Sequence, residues 1–318
     1  MEPSVNQWRR HEQQFLCVLL HFLKVQSFLC RILQWLDILD PTTLLASDQE
    51  IKNAQTLLQN SQPSLEEQVK DEKIKGALKL TLSSVHPDTG SVLPTVFRAS
   101  AFTPLAAPLI LGMLLPHKRM KPALFWQFLF QSYSAGYNLA NGNKTAGKDE
   151  KIPLNEVLLL IGAVSYTTCL GIFPQFMVYR YGLNSPAMRT LFTKVLPVPV
   201  LAIASAVNVA AVRGSEFAKG IELTDKNGNV VGVSQAAGTK AVKDTAVSRA
   251  VLIGTTVAAP NMIVSYLQRL VMTSLILGVM IPVSFSLYPQ MGKINRSKLE
   301  PSIQSSTTED ELYYNRGL

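Results

Sequence analysis

The chain has 318 residues, of which 47% are hydrophobic and 16% charged, against about 25% charged in an average soluble domain. Its formal charge of +8 is lopsided, since residues 1–98 carry 10 Lys/Arg and 11 Asp/Glu while residues 99–318 carry 20 and 11. The cations sit in clusters between long uncharged segments, as they do at the ends of membrane spans, and no aromatic-studded basic stripe or zinc-finger spacing speaks for a nucleic-acid partner.

The first predicted element is an amphipathic helix. "FLCVLLHFLKVQSFLCRILQWLDILDP" (15–41) opens on an apolar run and continues past Lys24 and Arg31. Arg9 and Arg10 before the run, with "VQS" after it, imitate a secretory signal. Trp35, Leu36, Ile38 and Leu39 carry the apolar pattern beyond that point to Asp40-Pro41. A helix lying on the membrane or against a bundle therefore fits better. Two further helical patterns follow, "DQEIKNAQTLLQN" (48–60) and "SLEEQVKDEKIKGALKLTLSSV" (64–85). The second has a Ser64–Glu67 capping box and a Glu66–Lys70 pair.

"HPDTGS" (86–91) resembles the catalytic loop of an aspartic protease. That chemistry needs two carboxylates sharing one proton, and no second Asp-Thr-Gly or Asp-Ser-Gly occurs in the chain. Pro87 pushes His86 toward extended backbone, and Asp88, Thr89 and Gly90 then read as a turn or helix start. His86, Pro87, Asp88, Thr89 and Gly90 form a structural connector on this reading, with Asp88 expected to cap the helix that enters the bilayer.

Six stretches without Asp, Glu, Lys or Arg come next, at 99–116, 122–143, 157–179, 195–212, 250–268 and 270–292. A helix needs about 20 residues to cross a bilayer core. The first stretch, with Pro104, Pro108 and Pro116, reads as broken or partly interfacial. The last two are separated only by Arg269, so both cross only if the turn there is very tight. Between the fourth and fifth, the hydrophilic segment 213–249 contains "IELTDKNGNVVGV", a β-hairpin signal. The fold expected is an all-α membrane protein. A soluble or interfacial helical region (1–98) precedes a bundle of five transmembrane helices, or six, at 99–292, with a hairpin-containing loop at 213–249 and a tail at 293–318.

Several motifs together resemble one family, the sideroflexins. They are Asp40-Pro41, "HPDTG" (86–90), Phe97-Arg98, "FWQFLFQSYSAGYN" (125–138), "AVNVAAVR" (206–213), "GIELTDKNGNVVG" (220–232), Ser248-Arg249, "YPQ" (288–290) and "YYNRGL" (313–318). "RILQWLDILDPTTLL" and "FSLYPQMG" look most like the family's fourth vertebrate branch. The resemblance implies a multi-pass protein of the mitochondrial inner membrane that carries serine-like small neutral amino acids. For the fourth branch it implies, as the alternative, a non-transporting factor supporting respiratory complex I assembly and iron homeostasis. The chain departs from the family pattern at Ser91, where an acid is usual, and in having only Tyr266-Leu-Gln-Arg269 where a longer basic, Pro-containing linker is usual.

A neutral zwitterion crossing a membrane needs uncharged donors and acceptors at mid-depth. Gln131, Asn138, Asn141 and Asn208 are the candidate pathway residues, with Ser132, Ser165, Thr167, Thr168 and Ser205 as weaker ones. No phosphate-binding loop or dinucleotide loop occurs, so no enzyme chemistry is expected. Three cysteines without Cys-x-x-Cys spacing and four histidines without His-x-x-x-His spacing give no local motif for a metal or cofactor. The expected partners are the lipid bilayer, a small neutral amino acid and, on the alternative reading, the complex I assembly machinery.

Overall fold

The computed structural model describes residues 28–60, 72–115, 117, 119–144, 154–182, 185–225, 230–263 and 266–317. The Ser64–Glu67 box, the Glu66–Lys70 pair, the run 15–27 and the Asn-Gly turn of the 213–249 segment lie outside the described residues.

The N-terminal region is built from α1 (Phe28–Ile38), a 3-10 turn (Pro41–Leu45), α2 (Asp48–Asn60) and α3 (Glu72–Ser84). Asp40 starts the turn by accepting the Thr42 N–H at 2.9 Å, and Lys79 of α3 reaches it at 2.6 Å. Lys79 first, then Thr42, holds the Asp40 carboxyl down at about 2. A capping box not noticed in the sequence opens α2: Ser47 donates its N–H to Glu50 at 2.7 Å, and the Glu50 N–H returns to the Ser47 hydroxyl at 3.3 Å. Buried Arg98 then fastens the chain's entry to the bundle, donating to Asp48, Ala46 O and Leu93 O at 2.7, 3.3 and 3.1 Å.

The bundle comprises α4 (Phe102–Leu114), α5 (Met120–Ala140), α6 (Leu154–Tyr181), α7 (Pro186–Thr190) running through a π-turn (Leu191–Val195) into α8 (Pro197–Val212), α10 (Gln235–Ile263) and α11 (Tyr266–Ser286). One core joins Phe102, Ala106 and Ile110 of α4 to Leu252 and Val257 of α10 and to Leu277, Ile281 and Phe285 of α11. Spacings of four residues place the α4 set and the α11 set each on one helix face. Ser248 and Ser284 clasp α10 to α11 reciprocally, each hydroxyl donating to the other residue's carbonyl at 2.7 Å.

The outward faces are apolar and uncovered. Leu158, Ile161 and Phe173 on α6, Phe125 on α5, and Val271, Leu275 and Val279 on α11 are exposed, which in water would be a large unfavourable patch. Of the spans expected from charge-free stretches, two are, among the described residues, runs long and apolar enough to cross a membrane by themselves, Glu156–Tyr181 and Pro186–Val212. Ala99–Leu114 and Val271–Ser286 are apolar but shorter. Prolines and 3-10 turns at 95–97 and 99–101 shorten the first of these. Arg269 is not at a turn but inside α11.

The chain is mostly helical but not all-α. After α9 (Gly214–Lys219) come β1 (Ile221–Thr224) and β2 (Val230–Ser234), and after α11 come β3 (Met291–Asn295), α12 (Pro301–Ser306) and β4 (Glu311–Asn315). They form one sheet in the order β2-β1-β4-β3. All three pairings are antiparallel, with Ile221 opposite Ser234, Leu223 opposite Tyr314, and Met291 opposite Asn315. The sheet arises because β1 offers Ile221 and Leu223 to a second core, completed from far along the chain by Ile294, Ile303, Leu312 and Tyr314. Residues 235–249 are not loop but the first half of α10. Glu300 caps that helix, accepting the Gln235 and Ala236 N–H groups at 2.9 and 3.2 Å.

Candidate functional site: a polar interior with buried guanidiniums

On α5, Gln127, Gln131, Ser134 and Asn138 recur every three or four residues and are all buried, so one stripe of amides and hydroxyl faces inward. On α8, Ser205 and Asn208 are buried in the same way. Asn208 donates from Nδ2 to Gln131 O at 3.2 Å and to Gln131 Oε1 at 3.1 Å. Both partners are acceptors, so the amide orientation is fixed and Oδ1 of Asn208 is its free acceptor. Gly171 on α6 lets the Gln127 amide approach, because a Cβ there would strike it.

Much of this stripe lacks partners. Gln127 Nε2, Gln131 Nε2, Asn138 Oδ1, Asn208 Oδ1 and Tyr137 Oη are buried without a hydrogen bond among the described residues. Each such atom costs about 1–3 kcal/mol when nothing fills it. Structural amides are normally saturated, so the stripe has the character of a site that takes a polar guest. Thr167 and Thr168 differ, since their hydroxyls donate to Ala163 O and Val164 O of their own helix at 2.7 and 2.6 Å.

Of the four sequence-predicted pathway residues, Gln131, Asn138 and Asn208 come together here. Asn141 does not. Its Nδ2 donates to Phe97 O at 2.9 Å and to Tyr137 O at 3.0 Å, tying the end of α5 to the turn before α4.

At the end of the stripe lie buried arginines that the sequence motifs contain but that are not among the candidate pathway residues. Arg213, at the end of α8, gives Nε to Glu216 Oε1 at 2.5 Å, NH2 to Glu216 Oε2 at 2.8 Å and to Arg316 O at 2.7 Å, and NH1 to Thr245 at 3.1 Å. Glu216 also accepts both N–H groups of Asn143, at 3.2 and 2.9 Å. This pair is saturated. Arg249 on α10 is 3% exposed and packs against the rings of Phe285, Phe102 and Tyr137 at 4.3, 5.1 and 5.5 Å. Arg316, after β4, donates NH2 to Phe285 O at 3.1 Å. Burial, and next the Arg249 charge, pulls its guanidinium down to about 10. The sequence signal for Arg249 was its place at the edge of the charge-free stretch 250–268, where it counted as a boundary.

The His86–Gly90 motif is a latch. The Asp88 N–H donates to His86 Nδ1 at 3.1 Å, which makes Nδ1 the acceptor and leaves Nε2–H to donate to Gly142 O at 2.9 Å. Pro87 occupies the turn between them. Gly90, at φ 65°, closes the turn with a bond to His86 O at 2.9 Å in the left-handed region that glycine enters freely. Thr89 and Ser91 join hydroxyls at 2.6 Å. Asp88 does not cap a helix. Its carboxylate accepts the Lys144 N–H at 2.9 Å and Asn315 Nδ2 at 3.1 Å, bridging the segment after α5 to β4.

These features are those of a mostly helical protein with apolar outer faces, as a membrane protein has, and a polar interior closed at one end by a helix–sheet cap. A sequence profile for the sideroflexins matches residues 21–318. The chain is 44% identical to zebrafish (Danio rerio) sideroflexin-4 over 333 aligned positions, covering 100% of both chains. It is 39% identical to human sideroflexin-4, covering 92% of this chain and 89% of that one. With human sideroflexin-5 the identity is 32%, over 92% of this chain and 90% of the relative. No solved structure matches. The chain belongs to the sideroflexin family.

Proposed function

We propose that this protein is a multi-pass carrier of the mitochondrial inner membrane that moves small neutral amino acids of serine-like size, rather than an enzyme. The observation that carries this reading is the unsaturated amide stripe of Gln127, Gln131, Asn138 and Asn208 inside a bundle whose outer face is apolar. Polar groups at membrane depth are retained where they line a pathway or meet a partner. On this reading α4, α5, α6, α7–α8, α10 and α11 all cross. The amide oxygens of Asn138 and Asn208 accept from the substrate ammonium, and the amide nitrogens of Gln131 and Gln127, about two and three turns further along α5, offer donors to the substrate at successive positions of the pathway. The test is uptake of labelled serine by purified protein in liposomes. Asn208→Ala should lower the rate about tenfold at unchanged expression, the equivalent of one or two lost hydrogen bonds. Uptake no faster than empty liposomes across a panel of small neutral amino acids overturns the reading.

A second reading is support of respiratory complex I assembly. It is favoured by the higher identity to the two sideroflexin-4 relatives, 44% and 39%, than to sideroflexin-5 at 32%, taken with what the fourth branch implies. It expects copurification with complex I subunits, and complex I levels that Asn208→Ala leaves unchanged.

A further inference from the structure

Among the described residues, three arginines are buried at the polar end of the bundle, Arg213, Arg249 and Arg316, against one buried carboxylate, Glu216. Glu216 is fully committed to Arg213 and Asn143. Asp244, nearby on α10, is only partly buried. Arg249 NH1 and NH2, and Arg316 Nε and NH1, have no hydrogen-bond partner among the described residues. The aromatic rings around Arg249 compensate the faces of its guanidinium, but cation–π contact does nothing for donors in the guanidinium plane. Two buried cations with bare edges are unfavourable unless an anion meets them.

We infer that Arg249, assisted by Arg316, forms a carboxylate-binding site at the cap end of the amide stripe. Both residues meet Phe285, Arg249 on its ring and Arg316 on its carbonyl, so their unused donors belong to one neighbourhood. A planar fork of paired N–H groups matches a carboxylate's two oxygens. Tyr137, whose ring lies 5.5 Å from Arg249, turns its buried hydroxyl toward that guanidinium without closing a well-formed hydrogen bond and precedes Asn138 of the stripe. A ligand anchored by its carboxylate at Arg249 therefore has the amide acceptors beside it for an ammonium group. The inference deepens the carrier reading and rests on it for the choice of an amino acid as the carboxylate's bearer.

The experiment measures thermal stabilisation of the purified full chain in detergent, at fixed chloride, by three compounds. L-serine has both charged groups, glycerate keeps the carboxylate without the amine, and L-serinamide keeps the amine without the carboxylate. Serine and glycerate should stabilise the protein and serinamide should not. Arg249→Lys should weaken the binding of both carboxylates about tenfold, and Arg249→Gln about a hundredfold, as loss of a charge-assisted fork requires. Equal stabilisation by serinamide, or an unweakened response in Arg249→Lys, overturns the site whatever becomes of Arg249→Gln. Serine uptake without any response to glycerate overturns it too and leaves the carrier reading intact. A glycerate response that depends on Arg249, with no amino-acid uptake, supports the site and overturns the carrier reading instead.

Discussion

Arg213 and Arg249 are both buried at the same end of the bundle, yet their surroundings are opposite. Arg213 spends its donors on Glu216, Thr245 and the Arg316 carbonyl, while Arg249 has aromatic walls and two bare nitrogens. The first arrangement is how a fold holds a charge for its own sake. The second leaves hydrogen-bonding capacity unspent and so points outward, to a ligand. Burial alone does not separate structural from functional arginines; saturation does.

The sharpest way to break the comparison is to remove a partner from each. Glu216→Ala strands the Arg213 guanidinium and should cost about 3–5 kcal/mol, the usual penalty for half of a buried pair. Arg249→Gln removes a charge that has aromatic but no carboxylate neighbours among the described residues and should cost no more than about 2 kcal/mol, the value of its aromatic contacts. Thermal melts of the two purified variants, side by side, decide it. Equal losses would mean that both arginines are structural.

Asp88 belongs with the saturated region. Asp88→Asn keeps one acceptor but turns an amide N–H₂ toward either Lys144 N–H or Asn315 Nδ2, both donors. A loss of about 1–3 kcal/mol in the same melt is expected. A neutral result would mean that the bridge from Asp88 to Lys144 and Asn315 contributes nothing to the fold.

Gly171→Ala probes the unsaturated side. Its Cβ meets the Gln127 amide, a side chain free to swing, so stability should fall by about 1 kcal/mol, the low end of overpacking. Serine uptake should fall several-fold because the stripe is displaced. Stability lost without any change in uptake would place Gln127 outside the pathway.

The smallest effect is at Asp40. Its carboxyl sits at about 2 instead of 3.8, chiefly through Lys79. A depressed acid stabilises the fold above its ordinary pKa, and that contribution drains away as pH falls from 3.8 toward 2. Lys79→Ala should cost about 0.2–1 kcal/mol near neutrality and flatten the acid side of the pH–stability curve.

The sequence made some of this legible. Charge-free runs marked the apolar helices, and the polar letters Gln131, Asn138 and Asn208 stood out in them because polar side chains are rare in such runs. The sheet was half visible: alternation in "IEL" and "VVGV" carries β1 and β2, but "ELYYN" is short and pairs with a strand about 90 residues earlier, and "MGKIN" joins the sheet only through "ELYYN". The partners of Asp88 were out of reach for the same reason, Asn315 being 227 residues away. Arg249 was in view and passed over, because a rule that reads cations as span boundaries cannot tell an arginine in water from one behind three aromatic rings.

Helix α10 runs unbroken through 29 residues, about 43 Å at the usual rise. Its first turns place Ala237 and Ala241 in the sheet core, and its later turns place Leu252 and Val257 in the bundle core. A carrier must open to each side in turn, by rocking one part of its bundle against another. With one rod set in both cores, that rocking cannot leave the sheet behind. On the carrier reading the cap is mechanically part of the moving machine, and a binder clamped onto the sheet would then act as a brake on exchange without touching the pathway.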